Sequence, residues 1–162
     1  MHAIEFRRAS HPAVRPEGGA APVVGILVDG VPLVELVRAV ELPYAQAEQR
    51  RRADEGLPGT APLLAGDYTT LGPAYDWPSR HFLGEPRNLP WGGEEGETMV
   101  LGCPCGIDEC WALMARITVR PRTVTWSAFR NNCCDWDLSA LGSFVFSRRQ
   151  YEDSLRGGAP RP

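Results

Sequence analysis

The residue types able to do chemistry gather in one short stretch. Cys103-Pro104-Cys105-Gly106-Ile107-Asp108-Glu109-Cys110 brings three thiols within eight residues. Thiolates this close suit a zinc ion, which takes four tetrahedral ligands with Zn–S near ~2.3 Å. Gly106 frees the backbone after the second cysteine to bend its N–H groups toward sulfur. The fourth ligand is open. Cys133 and Cys134 lie beyond a later strand and His81 lies upstream, and any of them could reach the site. If none does, water completes the coordination, and an open zinc is a catalytic zinc. A redox or nucleophilic thiol site and inert core cysteines are the competing readings.

His81 could ligate metal or act as a general base, against the plainer role of a hydrogen-bonded loop residue. His2 and His11 read as terminal bystanders. Asp108, Glu109, Asp135 and Asp137 crowd the cysteine segments. They could orient ligands or move protons, but carboxylates beside turns more often cap them. Arg50, Arg51 and Arg52 could hold a phosphate, although a solvated helix face is the commoner use of such a run.

The elements that must position these residues follow from periodicity. Met99 to Gly102 reads as the strand entering the cysteine loop, and Trp111 to Val119 alternates as the strand leaving it. Arg120-Pro121 turns the chain, and Val124 to Phe129 returns antiparallel. Phe144 to Phe146 is a further short strand. Ser147 and Gln150 then fit a capping box, with Phe146 and Tyr151 as its staple, opening a helix to about Leu155. Upstream, Ala3 to Phe6 suggests an edge strand, Ser10 to Ala21 a Pro/Gly-rich loop, and Val23 to Val28 a buried strand closed by an Asp29-Gly30 turn. Leu33, Val34, Leu36, Val37 and Val40 mark one helix face, which Pro43 stops or kinks before a more polar Tyr44 to Glu55 segment. Between Gly56 and Gly96 a long aromatic-rich loop must pack onto the core or form a lid. The expectation is an α+β fold: an antiparallel β-meander packed against one or two helices, the Leu33 helix foremost.

Leu101-Gly102-Cys103-x-Cys105-Gly106-x-x-x-Cys110-Trp111, Val124-x-Trp126-x-x-Phe129 and Gly142-x-Phe144-x-Phe146-x-x-x-Gln150-Tyr151 resemble a pattern shared by a family of small uncharacterised actinobacterial proteins. The resemblance covers the last third firmly, the Val28 to Leu36 and Leu64 to Gly66 stretches more loosely, and implies no activity. Cys133-Cys134 departs from it. Cys103-Pro104-Cys105-Gly106 is also similar to the opening of the SEC-C zinc motif. That motif places its later ligands farther along, so its residues are not carried over.

Composition bounds the remaining classes. A chain of 162 residues, 43% hydrophobic and 23% charged, is read as one domain, with 10–21 and 156–162 flexible. The formal net charge of -3 leaves no basic field for a nucleic-acid backbone. All seventeen basic residues are arginine, which excludes lysine Schiff-base chemistry. No P-loop, G-x-G-x-x-G, G-x-S-x-G or H-E-x-x-H occurs. No signal-peptide pattern opens the chain and no apolar run approaches a membrane span of ~20 residues. Five cysteines clustered in two patches fit thiols in a reducing cytoplasm better than a disulfide framework. The expected function is a small zinc protein with a binding or accessory role toward a small molecule or protein partner. The alternative is a small-molecule enzyme using an open metal site or a reactive cysteine, with His81 as base.

Overall fold

The computed structural model describes residues 1–12, 20–107 and 110–157. The protein is α+β, with two antiparallel sheets and two helices. The first sheet joins β1 (Ile4–Pro12), β2 (Ala20–Val28) and the two-residue β3 (Val31–Pro32) in that order. Its first two strands run further than the expected Ala3–Phe6 and Val23–Val28, because they pair with each other from Ile4↔Val28 to Pro12↔Ala20. Backbone pairing takes the chain past the point where apolar alternation fades. Residues 13–19 of the expected loop, Asp108, Glu109 and the tail 158–162 lie outside the described residues.

The second sheet is the meander: β4 (Thr98–Leu101), β5 (Leu113–Val119), β6 (Thr123–Asn131) and β7 (Phe144–Ser147), in sequence order. Along β6, Val124 and Trp126 are buried, as simple alternation requires. The β5–β6 register then shifts between Met114 and Arg116, and Ala128 takes a φ of 52°. This bulge moves the inward phase by one residue, so Phe129 and Asn131 are buried while Ala128 is exposed. A polar Asn131 thereby enters the interior beside the cysteines.

Helix α1 (Leu33–Asp54) is continuous through Pro43, so of the expected stop or kink the stop does not occur. Pro43 denies a bond to the Ala39 carbonyl, but both residues are exposed and water can serve that carbonyl. The buried stripe is Leu33, Val37, Glu41 and Ala45, at helical spacing with one carboxylate in it. The helix lies against β2, β3 and the 3-10 turns Ala61–Leu64 and Ser139–Leu141. Arg51 and Arg52 pair with Glu48 along its exposed side, which is the solvated-face use of the arginine run.

Helix α2 (Arg148–Leu155) contacts β1, β6 and β7. Phe146 and Tyr151 meet as the staple, with ring centroids 5.7 Å apart. The capping box does not form: Ser147 is the N-cap but makes no side-chain cap bond. Gln150 instead accepts from the Ile4 N–H at 3.2 Å and donates to the Ile4 carbonyl at 2.5 Å, while Ser154 Oγ accepts from the Phe6 N–H. The otherwise open edge of β1 competes for these side chains and wins, because its backbone groups need partners.

The long loop packs down as expected. Thr69 and Gly102 exchange two backbone bonds of 2.9 Å, and the Val24 N–H donates to the Leu71 carbonyl, so residues 69–71 stitch one sheet to the other. Phe82, fully buried, stacks on Trp126 with centroids 6.3 Å apart and planes 12° apart.

Candidate metal centre

Strand β4 ends at Leu101, and its neighbour Gly102 is held by Thr69. The chain therefore leaves the sheet at Cys103 from a fixed point. The Gly106 N–H bonds the Cys103 carbonyl at 3.0 Å, closing a tight turn in which Gly106 has a φ of 78° that favours glycine. The Sγ atoms of Cys103, Cys105 and Cys110 lie within 4.8 Å of one another, close enough to hold a metal ion. Sulfurs around a tetrahedral zinc with bonds of ~2.3 Å stand about 3.8 Å apart. The three need to close by no more than about 1 Å on this scale.

The electrostatics suit a cation. Burial raises the Cys103 thiol, but the Cys105 backbone N–H, the Cys105 thiol, the Trp111 N–H and the Cys110 thiol bond to its sulfur and together leave it below the ordinary thiol range. Cys110, bonded to the Cys103 and Cys105 sulfurs, is pushed up to about 11. Cys103 and Cys110 influence each other, and a second negative sulfur beside the first is opposed unless a positive ion joins them.

Two adjacent asparagines build the wall behind the cysteines. Asn132 Oδ1 accepts from the Ala112 N–H at 2.7 Å, and its Nδ2 donates to the carbonyls of Cys110 and Trp91. Asn131 Oδ1 accepts from the N–H groups of Cys133 and Cys134, at 2.7 and 3.1 Å, and its Nδ2 donates to Tyr68 Oη. Tyr68 in turn donates to the buried Glu41 carboxylate, whose other oxygen accepts from the Gly66 N–H. A chain of hydrogen bonds thus runs from α1 to the turn bearing Cys133. Aromatic packing joins the same segments: Trp111, next to Cys110, meets Trp136, which also stacks on Tyr44 of α1. A further clamp is Arg130, which grips both oxygens of the buried Glu97 and donates to the Gly92 carbonyl.

The candidate fourth ligands separate in space. Cys133 Sγ donates to the Cys110 carbonyl at 2.7 Å, directly against the cysteine turn. Cys134 is half-buried, its thiol pushed up to about 11 chiefly by burial and then by the charges of Glu41 and Asp135. His81 is fully buried and engaged at both ring nitrogens: Nδ1 accepts from the Arg87 N–H at 3.2 Å, so Nε2 carries the proton and donates to the Met99 carbonyl at 2.6 Å. His81, Cys133 and Cys134 all stand outside the three-sulfur group. Asp137 accepts from the Ser139 N–H, the capping role. His2, read as a bystander, pairs with Asp29 at 2.6 Å.

Sequence reasoning missed Glu41, Tyr68, Asn131, Asn132 and the Glu97–Arg130 pair. The one local signal was Asn131-Asn132 immediately before Cys133-Cys134, two side chains able to donate and accept at once. Among the described residues no helix is long and apolar enough to cross a membrane. The chain matches no protein-family model, no curated protein and no solved structure, so the geometry of the cysteine turn carries the functional argument.

Proposed function

We propose that this protein binds one zinc ion in the turn between β4 and β5 and acts in the cytoplasm as a small metal-stabilised binding or accessory protein for a small molecule or protein partner. The observation that carries the reading is the approach of three sulfurs to within 4.8 Å on a turn of only eight residues. Zinc is the metal of choice because thiolate ligands and a closed tetrahedral geometry favour it over harder cations. In that role Cys103, Cys105 and Cys110 would hold the ion, and it would supply folding free energy to a segment in which Cys105, Gly106, Ile107 and Cys110 are exposed.

A second reading, an enzyme working through an open metal site or a reactive cysteine, is favoured by the exposure of Cys105 and Cys110. Its base would have to be a group other than His81, whose ring nitrogens already have partners.

The test is elemental analysis of protein purified without added metal, paired with thermal melts with and without a strong chelator. One zinc per chain, abolished by Cys105→Ser, and a melting temperature lowered by chelator are expected. Metal-free wild-type protein that melts at one temperature under both conditions, with its thiols slow to react, would leave only the reading of inert packing.

A further inference from the structure

Resting on the zinc reading above, we infer that Cys133 is the fourth ligand, so that the turn between β4 and β5 and the end of β6 are joined through a closed four-thiolate site.

Position comes first. Cys133 Sγ sits 2.7 Å from the carbonyl oxygen of Cys110. A cysteine's own sulfur lies about 3–5 Å from its carbonyl oxygen by covalent geometry. Cys133 stands outside the three-sulfur group, and these distances put its sulfur within about 8 Å of the Cys110 sulfur, so a change of χ1 well, which carries a cysteine sulfur about 3 Å, is the motion that would bring it toward the turn. The Asn131 side chain holds the Cys133 and Cys134 N–H groups, and Asn132 holds the Cys110 carbonyl, so both halves of the proposed site are braced by neighbouring residues of one strand end.

Chemistry points the same way. Cys133 offers a fourth sulfur, the ligand type that zinc takes in closed tetrahedral sites, beside a turn that already supplies three. The four thiols bind as Zn²⁺ plus four S–H giving a four-sulfur complex of charge 2− and four protons released to solvent. No oxidant or reductant is required. Cys134, one residue on, is half-buried with its N–H held by Asn131, and His81 has committed both nitrogens. A fourth sulfur leaves no open position for water, which makes the zinc structural rather than catalytic.

The experiment combines X-ray absorption on zinc-loaded wild-type protein with cobalt substitution of variants. Four sulfur neighbours near ~2.3 Å are expected in the wild type. In the cobalt protein, Cys133→Ser should retain one metal per chain but lose about a quarter of the thiolate charge-transfer absorption, and zinc should bind at least tenfold more weakly. Cys134→Ser should change neither. Serine can still donate to the Cys110 carbonyl, so the variant keeps its fold. Three sulfurs plus a lighter atom in the wild type, or unchanged absorption and affinity in Cys133→Ser while Cys103→Ser loses metal, would overturn the inference and leave the zinc reading standing. Wild-type protein that takes up neither zinc nor cobalt would overturn both.

Discussion

Asn132 holds Cys110 by its backbone: the side-chain Nδ2 donates to the Cys110 carbonyl at 3.0 Å and, with its second hydrogen, to the Trp91 carbonyl at 2.9 Å. One buried amide therefore ties the exit of the cysteine turn, the end of β6 and the aromatic loop together. Asn132→Asp keeps the acceptor for the Ala112 N–H but removes both donors and sets a carboxylate against two carbonyl oxygens. We expect zinc affinity to fall about 10- to 100-fold, the range for supporting groups around a metal site. Competition titration against a chromophoric chelator measures it; an unchanged affinity would show that the turn is rigid without this amide.

Glu41 makes a prediction about pH. Burial raises its pKa above the usual carboxylate range, against the opposing effect of the Gly66 N–H and the Tyr68 hydroxyl. The folded state then holds this proton more tightly than the unfolded state. The group's contribution to stability is fully present below the unfolded value of about 4.3 and is lost as pH rises through the folded value. Glu41→Gln should remove that slope. Urea midpoints of wild type and variant should converge toward acid pH and separate toward pH 8 in favour of the variant. Taking the difference cancels the acid sensitivity that thiolate–metal bonds would give both proteins alike.

Tyr151 is the polar centre of the core. Its hydroxyl donates to the Phe82 carbonyl at 2.5 Å and accepts from Trp126 Nε1 at 3.1 Å, with Tyr151 and Trp126 fully buried. Tyr151→Phe strands an acceptor and a donor away from water, at about 1–3 kcal/mol each if neither finds a new partner. A loss of about 2–4 kcal/mol lowers the melting temperature by roughly 5–12 °C at this chain length. Tyr44→Phe, at an exposed ring, should stay within about 0.5 kcal/mol. Calorimetry of the two variants compares them directly.

Gly92 lies where the aromatic loop meets the strand end. It has a φ of 74°, and a Cβ there would stand 2.4 Å from the Asn132 carbonyl oxygen. Gly92→Ala therefore combines a left-handed backbone cost of about 1–2 kcal/mol with a collision against main chain that cannot rotate aside. We expect a destabilisation of at least about 2 kcal/mol and weaker zinc binding, since Asn132 must shift. Gly72→Ala, with ordinary dihedrals and nothing near its Cβ position, should be nearly neutral. Denaturant melts and metal titration of the pair separate local strain from a general loss of glycine.

Much of this protein was legible from residue order alone, and the reason is locality. The meander, the Asp29-Gly30 turn, the start of α1 at Leu33 and the span of α2 rest on periods of two and 3.6 and on turn residues acting over a few positions. The cysteine turn was legible for the same reason: three thiols within eight residues have little room to lie apart. What tertiary structure decided is everything that depends on which distant groups need partners. The open edge of β1 drew Gln150 away from capping and also engaged Ser154. Solvent at Ala39 let α1 pass through Pro43. The bulge at Ala128 reversed the inward phase of β6, and no alternation of apolar residues announces a polar Asn131 turned into the core. That reversal, with the Trp111–Trp136 contact, brings Cys133 rather than His81 against the Cys110 turn, because burial had already committed both His81 nitrogens to backbone groups.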